Sequence, residues 1–262
     1  MTHAIRFHKT GGPEVLQWEV VEVGKPGPGE ARVRNTAVGL NYFDTYFRSG
    51  LYATALPSGL GAEGAGVVEE VGPGVTDVKP GDRVAYGAAP IGAYAEERLI
   101  PADRLLKLPD GIDDKTAAAM MLKGLTTQYL IRQTYRVKAG DTILLHAAAG
   151  GVGLILGQWA KHLGATVIGT VGSDEKAKLA KAHGCDHPIV YTREDFAERV
   201  IRVVVAVRAR KHDHTKFHRA ESPLSKNNFN TARPWIALAG RRTSIFRFYP
   251  RGWQNSVPRA SW

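Results

Sequence analysis

Asp141-Thr142-Ile143-Leu144-Leu145-His146-Ala147-Ala148-Ala149-Gly150-Gly151-Val152-Gly153 is the stretch whose reading decides the fold. Thr142 to Ala147 is an apolar run of strand length, a glycine cluster follows, and Val152 to Leu163 has a helical pattern. A strand that enters a helix through glycines points the first backbone N–H groups of that helix, and the positive end of its dipole, at whatever lies in front. That arrangement favours an anion, and glycine is needed because a Cβ at the closest position would hold the anion away. The spacing departs from strict G-x-G-x-x-G, since Leu156 fills the last slot and Gly157 stands one place later.

Outward from the turn, strands and helices alternate. Ala165 to Val171 reads as a second buried strand, and Ser173 to His183 as a second helix with Ser173 at its N-cap. His187 to Tyr191 reads as a third strand and Arg193 to Val200 as a third helix. Such alternation builds a parallel sheet with crossover connections, and the anion at its glycine turn is then the pyrophosphate of a dinucleotide. NAD-specific units carry an acid about 20 residues beyond the glycines, where it binds the ribose 2′-hydroxyl. Counting from Gly150 reaches Thr170, in Gly169-Thr170-Val171-Gly172-Ser173, with no carboxylate to repel a 2′-phosphate. Ser173 can donate to such a phosphate, and Lys176 supplies a cation one turn later. Asp174 and Glu175 are expected to point outward as first-turn acids. The pattern favours NADPH; a merely solvated Lys176 is the alternative.

Before about residue 110 the texture is short strands and turns. Ile5 and Phe7 lie in an alternating run, Val20, Val21 and Val23 precede Gly24-Lys25-Pro26-Gly27-Pro28-Gly29, and Ala31 to Val38 resumes a strand. Gly64 to Val71 and Arg83 to Tyr86 are two more, which together predict a small β-barrel. Thr116 to Met121 and Thr126 to Thr134 are helix-like. Beyond Val200 the grammar breaks. Residues 201–262 hold 13 Lys and Arg against 2 acids, only 2 of the 29 glycines and 3 of the 5 tryptophans, while the preceding 200 residues hold 22 against 23. The basic balance of +10 therefore belongs to the tail. Val203 to Val207 reads as a possible fourth strand, with no sustained period beyond it. A disordered basic arm, a nucleic-acid-binding extension and out-of-frame translation compete for this segment; the last best explains why glycine and acids vanish together. One cysteine, Cys185, excludes an internal disulfide and a Cys-rich zinc site. Neither a signal pattern nor an apolar run of roughly 18 residues is found, so a soluble cytoplasmic protein outside the membrane is expected.

The block Gly140-Asp141, Leu144, Ala148-Ala149-Gly150-Gly151, Gly153, Gln158 and Lys161 resembles the signature of the zinc-independent quinone oxidoreductases, the ζ-crystallin-like group of medium-chain dehydrogenases/reductases. Phe7-His8-Lys9, Gly11-Gly12-Pro13-Glu14-Val15-Leu16, Gly39-Leu40-Asn41-Tyr42-Phe43-Asp44-Thr45-Tyr46, Arg48-Ser49-Gly50-Leu51-Tyr52 and Leu122-Lys123-Gly124-Leu125-Thr126 extend the likeness over about residues 3 to 200. It implies an α/β protein with a GroES-like β-barrel substrate domain at 1–120 and a partial Rossmann-type NADPH domain at 121–200. The anomalous tail, 201–262, would leave that parallel sheet truncated, with an open edge and without the second half of the nucleotide fold.

The resemblance also implies roles. The zinc-ligand positions of metal-dependent relatives correspond to Asn41, Ala62 and a place near Lys123, so metal-free chemistry is expected. Asn41, Tyr46 and Tyr52 would be the catalytic residues lining a nicotinamide and quinone cleft. Tyr42, Asp44 and Thr45 would contact the cofactor or orient the loop, and Thr127 and Tyr129 would lie near the nicotinamide ribose or phosphate. Gly150, Gly151, Val152 and Gly153 would hold the pyrophosphate, Gly172, Ser173 and Lys176 the 2′-phosphate, and Tyr191 would border the adenine. The implied activity is NADPH-dependent reduction of a quinone by a homodimer, with turnover by this chain in doubt. The rival readings are a reductase of another conjugated carbonyl, or a non-catalytic NADPH-binding protein whose tail binds nucleic acid. The tail shows no recognisable nucleic-acid fold and little interleaving of aromatics with cations.

Overall fold

The chain divides between Thr126 and Thr127 into two units, each with its own core. The computed structural model describes residues 1–212, 235–238 and 245–248. In the first unit the elements run β1 (Thr2–Phe7), β2 (Gln17–Val21), β3 (Glu30–Gly39), α1 (Asp44–Arg48), β4 (Ser58–Gly59), β5 (Glu63–Val71), β6 (Arg83–Gly87), β7 (Glu97–Pro101), β8 (Leu106–Lys107) and α2 (Asp114–Gln128), the last crossing the boundary. Pairing is antiparallel throughout. One sheet has the order β2-β1-β4, the other β7-β3-β5-β6-β8. The alternation read in the sequence is what buries Val33, Val68, Val84, Tyr86 and Ile100 in one core while charged neighbours such as Arg34 and Glu69 face out.

The second unit opens with a π-helical turn, Tyr129–Thr134. It continues as β9 (Thr142–Leu145), α3 (Gly151–His162), β10 (Thr166–Val171), α4 (Asp174–Ala182), β11 (His187–Val190), α5 (Phe196–His212), β12 (Trp235–Leu238) and β13 (Ile245–Phe248). The sheet order is β11-β10-β9-β12-β13, with β9 to β12 parallel and β13 antiparallel at the edge. Ile143, Leu145, Leu156 and Val167 pack on one face. Ile168 and Ile189 meet Val200, Val203, Val204 and Val207 on the other. Covering both faces is what a parallel sheet requires.

Two expectations are corrected here. Val203 to Val207 is no strand but the middle of α5, which starts at Phe196 rather than Arg193 and outlasts Val200 by twelve residues. Its apolar side chains at 200, 203, 204 and 207 form one helical stripe, and burial of that stripe outweighs the β-preference of four valines. The edge of β9 is also not open: β12 pairs with it in parallel, Ala237 opposite Leu144 and Leu238 opposite Leu145. The reading that the tail lacks strands thus fails at 235–238 and 245–248; the readings on its remaining residues, 213–234, 239–244 and 249–262, lie outside the described residues. Among the described residues no helix is long and apolar enough to cross a membrane.

Candidate functional site

The glycine turn sits at the carboxyl end of β9, where parallel sheets present ligands. Gly150 is the N-cap of α3 and offers no side-chain acceptor. The first amide of the helix with a backbone acceptor is that of Leu154, bonded to the Gly150 carbonyl at 2.9 Å. The amides ahead of it are left for an anion. Gly153 serves the turn itself: a Cβ there would stand 2.4 Å from the Ala147 carbonyl oxygen, so only glycine lets α3 pack this closely on the strand end. Val152 packs on the core.

The second strand ends beside it. Thr170, at the place where an NAD-type acid was sought, is buried, and its hydroxyl lies 2.9 Å from Nδ1 of His146. Burial holds the His146 ring below the usual histidine pKa. Ser173 caps α4, its hydroxyl accepting from the Lys176 amide at 3.3 Å and donating to the Glu175 carboxylate. Lys176 is exposed, and its ammonium makes no ion pair among the described residues. Tyr191 follows β11, is half exposed, and has its hydroxyl 3.1 Å from where a Cβ on Gly172 would stand. So Gly172, Ser173 and Tyr191 are brought to one corner. Asp174 is exposed, as expected of a first-turn acid, and Arg193 grips it there with two hydrogen bonds of 2.6 and 2.5 Å. Thr127 is buried with its hydroxyl unpartnered, and Tyr129 packs against the core of its unit, its phenol pushed up by burial.

In the first unit the informative group is one the sequence reading passed over. Glu63 is fully buried, at the start of β5. One carboxylate oxygen accepts from Asn41 Nδ2 at 2.7 Å and from the Lys123 ammonium; the other accepts from the Leu122 amide at 2.6 Å. A buried carboxylate so saturated stays put and fixes what it touches. Gly39 permits the approach, since a Cβ on it would fall 2.3 Å from Glu63 Oε1. Asn41 is therefore locked with its amide nitrogen on Glu63 and its Oδ1 turned to other donors.

Asp44 belongs to the same loop. It is buried, accepts from the Asn41 amide at 2.9 Å and from the Tyr94 hydroxyl at 2.7 Å, and so braces the loop. Burial raises its carboxyl above the ordinary value, against the lowering effect of those two bonds. The Tyr94 phenol is pushed up by its own burial and by Asp44. Thr45 turns its hydroxyl back to the Tyr42 carbonyl at 2.6 Å. Tyr42, Tyr46 and Tyr52 form one aromatic cluster with Phe43 and Phe47; the Tyr46 and Tyr52 rings are 5.2 Å apart and tilted by 57°. Tyr42 and Tyr52 present much of their surface to solvent. Glu63 and Tyr94 were missed because their partners are distant in sequence. The one available signal was a lone carboxylate inside the small-residue run Gly61 to Gly66.

An antiparallel barrel-like unit followed by a parallel dinucleotide sheet is the architecture of the medium-chain dehydrogenases/reductases. Residues 27–110 match the family described as the alcohol dehydrogenase GroES-like domain, and residues 151–213 that described as zinc-binding dehydrogenase. Quinone oxidoreductase of Pseudomonas aeruginosa is 58% identical over 204 residues, 78% of this chain and 63% of that protein. The 2-haloacrylate reductase of a Burkholderia species is 54% identical over 206 residues, 76% and 62%. A crystal structure of Escherichia coli quinone oxidoreductase complexed with NADPH superimposes with a TM-score of 0.76 at 50% identity, over 78% of this chain and 63% of that one. The chain belongs to the quinone oxidoreductase family of this superfamily. It spans 62–63% of the length of these relatives.

Proposed function

We propose that the chain binds NADPH through its second unit and supports metal-free reduction of a quinone. The observation that carries this reading is the uncapped glycine turn at the end of β9, with no carboxylate between it and Ser173 and with Lys176 in the first turn of α4. Orphan amides suit a pyrophosphate, and a hydroxyl beside an unpaired ammonium suits a 2′-phosphate. The relative of E. coli bound to NADPH supports the choice of cofactor.

Bound NADPH supplies the hydride. The chain's own residues bind and orient. Gly150 to Gly153 hold the pyrophosphate, Gly172, Ser173 and Lys176 the 2′-phosphate, and Tyr191 flanks the adenosine end. Asn41, kept in one orientation by Glu63, offers an acceptor from Oδ1 and one remaining N–H. Tyr46 and Tyr52 supply ring faces for a planar substrate and hydroxyls that can donate to negative charge developing on its oxygen. A catalytic zinc does not fit here. Ala62 has no donor atom, the Lys123 ammonium repels a cation, and Glu63 is already saturated. A quinone accepts electrons without such help.

The 54% identity to a 2-haloacrylate reductase favours one second reading, a conjugated acid or carbonyl as acceptor. A homodimer in the cytoplasm completes the proposal by analogy with the family, and the single, buried Cys185 suits a reducing compartment. The out-of-frame origin of the segment after residue 200 is part of the same reading; the coding DNA around codon 200 tests it, since a one-base shift should restore family-like text. For activity the test is NADPH consumption by the full chain with 1,4-benzoquinone and with 2-chloroacrylate. Faster oxidation with the quinone is expected. NADPH binding with neither acceptor consumed would leave a binding protein and overturn the catalytic reading.

A further inference from the structure

We propose that Arg193 sets the selectivity of the second unit for a 2′-phosphate by cancelling the carboxylate of Asp174, the residue that directly follows Ser173; the inference rests on the NADPH reading above. The difficulty it answers is Asp174 itself. This residue directly follows the Ser173 cap, and a free carboxylate there would repel a phosphate and accept a hydrogen bond from an unmodified 2′-hydroxyl. Left alone, Asp174 would turn the corner towards NAD.

The structure removes that charge from play. Nη1 and Nη2 of Arg193 fork onto the two carboxylate oxygens at 2.6 and 2.5 Å. Both groups are charged at neutral pH, and the guanidinium holds the Asp174 carboxyl below its ordinary pKa. The fork uses two of the five guanidinium N–H groups, and this side chain makes no other hydrogen bond among the described residues. The remaining donors are available to a second anion. Glu194, the other acid beside Arg193, is engaged elsewhere: it accepts from the Val190 amide at 3.0 Å and from Arg199 at 3.1 Å.

The backbone brings Arg193 to this corner independently of the ion pair. The Tyr191 amide bonds the Val171 carbonyl at 3.1 Å, and the Thr192 hydroxyl donates to the Gly172 carbonyl at 3.4 Å. The loop after β11 thus runs alongside the loop after β10, and 191–193 faces 172–174. Of the two acids and two cations at this corner, Asp174 is paired with Arg193, and Glu175, which accepts from the Ser173 hydroxyl, stands against Lys176; without Arg193 the acids would be in excess.

The test is calorimetric titration of the full chain with 2′,5′-ADP and with 5′-AMP, which differ only in the 2′-phosphate. The unchanged protein should prefer 2′,5′-ADP. Arg193→Ala should cut that preference by about tenfold or more, with 5′-AMP affinity changed less than about twofold. The double variant Asp174→Asn/Arg193→Ala should recover part of the preference, because the bared carboxylate is gone. Equal loss for both ligands in Arg193→Ala, or an undiminished preference, would overturn the inference while leaving the NADPH reading intact. Absence of any preference in the unchanged protein would overturn the NADPH reading, and this inference with it.

Discussion

Glu63 shows what a single residue can decide. Its buried charge is satisfied by Asn41, Lys123 and the Leu122 amide, and the arrangement is worth most as geometry, since burying charges costs much of what their attraction returns. Removing one partner exposes the cost. Lys123→Met should destabilise the first unit by about 3–5 kcal/mol, because it strands a buried carboxylate. Glu63→Gln/Lys123→Met should recover most of that loss, and urea unfolding of the two variants measures the difference. Gly153 is decided by space alone: Gly153→Ala forces a Cβ to 2.4 Å from a backbone oxygen, and a loss of about 1–3 kcal/mol should appear as a lower Tm. Cys185 is buried, and burial pushes its thiol pKa up to about 11. At pH 8 a disulfide reagent should therefore label it slowly in the folded chain and at once in urea; rapid labelling of the folded chain would show the packing around it to be wrong.

At the scale of elements, β9, α3, β10 and α4 were legible to within a residue or two at most of their ends. An apolar run, a glycine break, a helical stripe and the Ser173 cap each mark a boundary by local chemistry. α5 was half legible: its helical stripe of valines looks like a strand until the partner surface of Ile168 and Ile189 is known. The strands at 235–238 and 245–248 are four residues each, too short for a period to stand out. In the first unit the strands could be read, but the site's anchor could not, because Glu63 meets Asn41 and Lys123 from 22 and 60 residues away. The ends of β9 and β10 carry a prediction of their own. His146 has a folded pKa below 6.5, so the unfolded chain takes up its proton first. Stability that His146 contributes above pH 6.5 is lost as pH falls from there through the depressed folded value. Urea midpoints at pH 7.5 and pH 5.0 should differ less in His146→Gln than in the unchanged chain; an equal difference would assign the acid sensitivity to other groups.

For the whole molecule, two units with separate cores divide the labour suggested by their chemistry. The first carries a locked asparagine and an aromatic cluster, which we propose to meet a flat acceptor, and the second carries the uncapped glycine turn and the Asp174–Arg193 corner, which we propose to hold the nucleotide. More than a third of the length of these relatives lies outside the match, so nucleotide binding is the property that the described residues argue most directly. Titration of the full chain with NADPH and with NADH tests it. The account predicts saturable binding of one equivalent of NADPH, with NADH weaker by about tenfold or more for want of the 2′-phosphate contacts. No binding of either, or equal affinity for both, would contradict it.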